Sequence, residues 1–169
     1  MNQQVFLDTV MPFKDKVFRL AKRLLVSQDE AEDATQELYL KLWKNRKKLT
    51  SYRNIEAFAM TMTKNYCLDR LKSKQASNLS LIHSNYKENN IGLQKKIELQ
   101  DSINKVHELI AELPEQQRMV IQLRDIEGYE FKEIEEMLQM KPTAIRVALS
   151  RARKIIREQI IKQDAYGLG

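Results

Sequence analysis

Apolar residues return every three or four positions along almost the whole of this 169-residue chain. That is the period of a helix burying one face. Phe13, Val17, Leu20, Ala21 and Leu24 predict a first helix over 13–26. "SQDEAEDATQELYLKLWKNRKK" predicts a second, with Ala31, Ala34, Leu38 and Leu42 as its inner stripe. Ser27 and Glu30 stand ahead of it at capping-box spacing, each able to satisfy an orphan amide of the first turn. Asp29, Glu30 and Glu32 fall where the helix dipole favours negative charge, and Lys41, Lys44, Arg46, Lys47 and Lys48 crowd the other end. A short loop, "LTSYRN", leads to "IEAFAMTMTKNYCLDRLKSK". There Ile55, Phe58, Ala59, Met62 and Tyr66 line one side of a third helix, and Met60, Cys67, Leu68 and Leu71 another. A helix apolar on two sides belongs at the centre of its bundle.

The period then breaks. "KQASNLSLIHSNYKENNIG" is rich in Ser and Asn and reads as a linker, with Leu79, Leu81, Ile82 and Tyr86 available to dock. The pattern restarts at Leu99, Ile103, Val106, Ile110 and Leu113, and Pro114 closes that helix. "EQQRMVIQLRDIEG" turns Met119, Val120 and Leu123 inward and stops at Gly128. "YEFKEIEEML" predicts a short helix on Phe131, Ile134 and Leu138, and a brief turn leads into "MKPTAIRVALSRARKII". No internal repeat interrupts the series. The expected fold is all-α: two small helical domains, 1–74 and 97–169, joined by a linker at 75–96. The C-terminal domain ends in a helix-turn-helix.

The last helix carries the clearest chemistry. Ile145, Leu149, Ala152 and Ile156 form one narrow apolar stripe. Thr143, Arg146, Val147, Ser150 and Lys154 fall opposite, with Arg153 and Arg157 on the flanks. Pro142 suits the first helical position, where a missing N–H costs nothing. Such a helix buries one face and offers a polar, cationic one. The chain carries a net charge of +6, a weak pointer to a polyanion. Its distribution is more telling. Residues 97–140 hold eleven acids against four bases, and residues 141–162 hold seven bases against Glu158 alone. Cation focused on the second helix of a helix-turn-helix points to a DNA major groove. Thr143, Arg146, Val147 and Ser150 would approach base edges, Arg146 taking a guanine and Val147 meeting a thymine methyl. Arg151, Arg153, Lys154 and Arg157 would hold phosphates.

Other functions find little support. Cys67 is the sole cysteine and reads as a small buried hydrophobe. "MNQQVFLDTV" lacks a basic start followed by an apolar run, and no stretch nears the ~18 apolar residues of a membrane span. A reducing, cytoplasmic setting is expected, with no membrane span and no cofactor. Glu30, Asp33 and Glu37 are the nearest approach to a metal site. Helical-bundle sites want Glu-x-x-His pairs, and neither His83 nor His107 fits. With no phosphate loop and no nucleophile–base set in view, an enzyme is not expected.

Two segments resemble a known family. "LPEQQRMVIQLRDIEGYEFKEIEEMLQMKPTAIRVALSRARKIIRE" resembles DNA-binding domain four of bacterial sigma factors of the extracytoplasmic-function group. "EAEDATQELYLKLW" with "AFAMTMTKNYCLDRLK" resembles their domain two. The resemblance implies a transcription initiation factor that binds core RNA polymerase and recognises −35 and −10 promoter elements. It assigns the −35 element to the last helix. It implies that Asp33, Gln36 and Glu37 bind the clamp helices of the largest polymerase subunit. It implies capture and melting of the −10 element by Tyr52, Arg53, Asn54, Lys64, Asn65 and Arg70, an aromatic, amides and bases suited to flipped single-stranded bases. Asp69 matches a family aspartate that pairs with a nearby base, and the linker resembles a segment running toward the RNA exit channel. An anti-sigma protein is a common partner in that family, though no residue here demands one. Glu135, Gln139, Lys141 and Ala148 depart from the pattern, which usually has a small residue, a turn glycine, a capping serine and a base there. An ordinary helix-turn-helix regulator would account for residues 97–162 equally well. It would not account for the acidic helix followed by a basic, aromatic-bearing loop.

Overall fold

The computed structural model describes residues 1–77 and 98–167, and every regular element among them is helical. One helix, α1 (Gln3–Val10), has no counterpart in the sequence reading. Only Phe6 and Val10 of it are buried, a single i, i+4 pair and too little for periodicity to reveal. Asn2 caps it, its side-chain oxygen accepting from the Val5 amide at 2.8 Å. Phe6 meets Trp43 edge-on at 5.0 Å.

A 3₁₀ turn at Met11–Phe13 leads into α2 (Lys14–Leu25), followed by α3 (Gln28–Lys44), the short α4 (Arg46–Leu49) and α5 (Ile55–Ser77). The expected inner stripes of α2 and α3 are all buried. Helix α5 packs on α2 and α3 with one side and approaches the C-terminal domain with another, as its two apolar sides require. Buried Thr63 is satisfied within its own helix, donating to the Ala59 carbonyl at 2.8 Å. Cys67 is fully buried, and burial pushes its thiol up to about 12, so it stays protonated and inert. Half of the expected capping box forms. The Ser27 hydroxyl accepts from the Glu30 amide at 3.3 Å, but the Glu30 carboxylate turns instead to Lys74 and Arg70. It thereby ties the start of α3 to the end of α5.

The C-terminal domain contains α6 (Glu98–Ala111), α7 (Glu115–Ile121) running on into a π-turn at Gln122–Ile126, α8 (Phe131–Leu138) and α9 (Pro142–Gly167). The wide turn closes through the Glu127 amide on the Gln122 carbonyl at 3.0 Å, and Gly128 leaves it at φ +78°. Ile110, Leu113, Met119, Val120, Leu123, Ile134, Ile145, Leu149 and Ala152 form the core as expected. Met137 is buried where Phe131 had been expected, and Phe131 is only half-buried. Helix α5 continues to Ser77, past the boundary expected at 74, and the expected docking of Leu79, Leu81, Ile82 and Tyr86 lies outside the described residues.

The two domains share one apolar cluster, α5 packing on α8 and α2 on α7, and polar groups flank it. Arg19 on α2 grips Glu127 with two hydrogen bonds of 2.8 and 2.7 Å. Buried Gln122 donates to Glu127 at 2.9 Å and accepts from Arg23 at 2.9 Å. Arg23 also donates to Nδ1 of His107 at 2.7 Å. A guanidinium only donates, so His107 must be neutral with its proton on Nε2. Burial, with Arg23 and Lys22 nearby, holds its pKa below the ordinary 6.5.

Two predictions follow from these positions. Val26 ends α2 in the left-handed region at φ 59°, a poor place for a β-branched residue, and its side chain is 54% exposed. Val26→Gly should raise stability by about 1 kcal/mol in urea unfolding, because strain relief outweighs the added chain entropy. For His107 the sign is set by its lowered folded pKa. Its contribution is complete above 6.5 and is lost as pH falls through the folded value. The drop in thermal stability between about pH 7.5 and 5.5 should therefore be smaller in His107→Ala.

Candidate nucleic-acid interface

Helix α8 ends at Gln139, which takes the left-handed conformation (φ 54°, ψ 45°) that the family pattern gives to glycine. Its side-chain amide donates back to the Glu136 carbonyl at 2.8 Å, satisfying one orphan acceptor of the helix end. The chain then enters α9 at Pro142, as expected. The Lys141 carbonyl accepts from the Ile145 amide at 3.1 Å, so the turn forms without a serine cap. Ala148 is buried in the core, so its side is not a phosphate-facing one. Glu135 is half-buried and is accommodated where a small residue had been expected.

Burial of Ile145, Leu149 and Ala152 turns the rest of α9 outward. Thr143, Arg146, Val147, Ser150, Arg151, Arg153, Lys154 and Arg157 are all exposed. Arg146 lies over the Phe131 ring at 5.5 Å, and Arg124 over the same ring at 4.5 Å. A guanidinium resting on an aromatic face is oriented while its N–H edge stays free to donate. Phe131 is thus a supporting residue that sequence reasoning placed in the core. Arg153 is held by Asp125 of the π-turn at 2.9 and 2.5 Å, a bond that raises its pKa. Phe131, Arg146, Ser150, Arg153 and Arg157 line a cleft of about 320 Å³ between α8 and α9.

The second candidate surface lies on the N-terminal domain and is divided. Tyr52 is 40% exposed and stacks on Phe58 at 4.2 Å, with Arg53 and Asn65 also exposed. Asn54 caps α5, its side-chain oxygen accepting from the Ala57 amide at 3.0 Å. Arg70 lies 3.8 Å from Glu30 and donates to the Tyr66 hydroxyl at 3.4 Å. Lys64 is the exception. It is buried, and its ammonium donates to the Met137 carbonyl of α8 at 2.9 Å. Asp69 is exposed and makes no ion pair with any described residue, against the expected pairing.

Asp33, Gln36 and Glu37 stand exposed on the outer face of α3. Leu40, one turn on, is 52% exposed and extends that face with an apolar contact. Its spacing from Gln36 was the signal that sequence reasoning passed over. Glu30, paired with Lys74 and Arg70, is not free to join Asp33 and Glu37 as a metal ligand. A further surface, an apolar groove of about 580 Å³, runs between α6, the π-turn and the end of α9. Ile103 and Ile161 lie largely uncovered along it.

Comparison with known proteins bears on these surfaces. A model of sigma-70 region 2 matches residues 9–77, and one of sigma-70 region 4 matches residues 103–156. The ECF RNA polymerase sigma factor SigW of Bacillus subtilis is 25% identical over 94% of this chain and 90% of that one. The ECF RNA polymerase sigma-E factor of Escherichia coli K12 is 27% identical over 94% and 88%. The sigma factor RpoE of Bartonella quintana, solved in complex with the anti-sigma factor NepR, superposes with a TM-score of 0.74 at 21% identity, covering 93% of this chain and 97% of that one. CnrH, solved with the cytosolic domain of CnrY, gives 0.69 at 16%, covering 95% and 90%. These two likenesses speak for the fold. With regions 2 and 4 present in order and full-length relatives of one kind, the chain belongs to the sigma-70 family, in its extracytoplasmic-function group.

Proposed function

We propose that this protein is a transcription initiation factor that joins core RNA polymerase and directs it to specific promoters. The observation that carries the reading is the pairing of two unlike surfaces on one chain. One is the cationic face of α9, exposed because its opposite side is buried. The other is the acidic–apolar face of α3 at Asp33, Gln36, Glu37 and Leu40. The first suits a polyanion, and the second a protein partner. Residues 97–169 read the −35 element through Thr143, Arg146, Val147 and Ser150, with Arg151, Arg153, Lys154 and Arg157 on phosphates. Residues 1–74 bind the polymerase clamp helices and capture the −10 element through Tyr52, Arg53, Asn54, Lys64, Asn65 and Arg70. Residues 75–96 join them. Tyr52, stacked on Phe58, offers a platform for a flipped base.

The chain works in the cytoplasm alongside polymerase, supplies binding surfaces, and leaves the chemistry of RNA synthesis to the polymerase. The apolar groove beside α9 suits a second protein partner, such as an anti-sigma factor. A free-standing helix-turn-helix regulator is disfavoured by the region 2 match at residues 9–77.

Run-off transcription with purified core polymerase and genomic fragments tests the whole reading. Specific transcripts are expected, and none on any native template would overturn it. Arg146→Ala should cost about 1–3 kcal/mol in −35 discrimination and leave polymerase affinity unchanged. Gln36→Ala with Glu37→Ala should weaken polymerase binding and spare −35 duplex binding. Equal loss of both activities in either variant would contradict the division between domains.

A further inference from the structure

Two of the outward arginines of α9 are held in place, and the residues that hold them start from one short segment. Arg124 and Asp125 are consecutive in the π-turn at Gln122–Ile126, yet they reach different helices. Arg124 lies over the Phe131 ring of α8 at 4.5 Å, and Arg146 of α9 lies over the same ring at 5.5 Å. Asp125 accepts from Nε and Nη2 of Arg153 on α9 at 2.9 and 2.5 Å. Arg146 and Arg153 are seven residues apart, so they share one side of the helix. The neighbouring cations Arg151, Lys154 and Arg157 are exposed and make no ion pair or ring contact with any described residue. We propose that the π-turn is the positioning element of the −35 reader: Arg124, acting through the Phe131 ring, fixes the Arg146 guanidinium for a guanine edge, and Asp125 fixes that of Arg153 for one phosphate.

The turn is itself anchored. Leu123 is 1% exposed, its carbonyl accepts from the Tyr129 amide at 3.0 Å, and Nη1 of Arg124 donates to the Tyr129 carbonyl at 2.8 Å. Arg124 is therefore tied down where it meets the ring. A closure from residue i to i+5 winds one more residue into the turn than an α-helix does. With Leu123 in the core, that wider turn lets the next two side chains both reach neighbouring helices. An anchored guanidinium on an aromatic face restrains the ring, and the ring orients the second guanidinium while leaving its N–H edge free to donate. Arg153 is restrained more directly. Asp125 occupies its Nε–Nη2 edge, so the Nη1 side remains for a phosphate. Side chains that are already ordered lose less freedom when they bind.

This inference rests on assigning the outer face of α9 to the −35 element, so base reading and initiation are measured separately. The full-length chain, with core polymerase present, is offered a randomised duplex library. Duplexes recovered with the chain are sequenced, and transcripts are counted apart from them. The position that Arg146 reads is the one whose preference disappears in Arg146→Ala. Phe131→Leu and Arg124→Gln should each lower the preference there by about fivefold, the lower end of what a base contact is worth. Phe131→Tyr keeps the ring face and should hold the preference within about twofold. Loss of a cation alone weakens all sequences alike, and a packing defect lowers every position together. A fall at one position separates positioning from both. Asp125→Asn should free Arg153 and steepen the slope of log affinity against log salt by about one. An even loss across positions in Phe131→Leu, or an unaltered preference in Arg124→Gln, would overturn the positioning of Arg146. So would a fall in Phe131→Tyr as large as in Phe131→Leu, or an Arg146→Ala variant that alters no position. An unchanged salt slope in Asp125→Asn would overturn the positioning of Arg153. Base preferences that shift as expected, with no transcripts from any form, would count against the initiation-factor reading and leave the positioning standing.

Discussion

Burial of Ile145, Leu149 and Ala152 is the constraint on which the C-terminal domain turns. These three occupy one side of α9, and each leaves water completely or nearly so. The larger two are each worth about 1.5–3 kcal/mol of transfer free energy. Individual surface ion pairs seldom exceed 1 kcal/mol. The apolar stripe therefore decides how α9 lies, and the cations follow. Rotating the helix to bury an arginine would expose the stripe and strand a charge, two costs at once. The basic face is outward because its opposite side has no alternative.

Legibility in the sequence tracks this hierarchy. The stripes of α2 and α3, and that of α9 as far as Ala152, were readable residue by residue, since each is a long, one-sided repeat; Ile156 is only partly buried. Two-sided α5 was readable as central, though not in what its second side would meet. What escaped were features without a period. Helix α1 buries a single pair of residues, and the π-turn at Gln122–Ile126 breaks the repeat that would have announced it. Phe131 was expected inward and is only half-buried, while Met137 is buried; both are apolar on a short helix, and only three-dimensional packing separates them. At the site, the exposed face of α9 was legible from amphipathicity. The burial of Lys64 and the support of Arg146 by Phe131 were not, since both depend on elements distant in sequence.

Two departures from the family pattern illustrate how backbone requirements are met by unusual residues. Gln139 holds a left-handed turn that favours glycine, and its side chain offsets the cost by bonding to Glu136. Ala148, in place of a base, fills a core position where a long cation would have to find its way out. Neither change disturbs the buried stripe of Ile145, Leu149 and Ala152.

The molecule thus uses two kinds of contact for two purposes. Within each domain the helices meet through apolar side chains that water cannot replace, and those domains hold their shape. Between domains the apolar cluster continues where α5 meets α8 and α2 meets α7, and guanidinium–carboxylate, ammonium–carbonyl and amide bonds frame it. Apolar helix faces build the readers and run on through the junction, and the polar bonds fix which faces meet there.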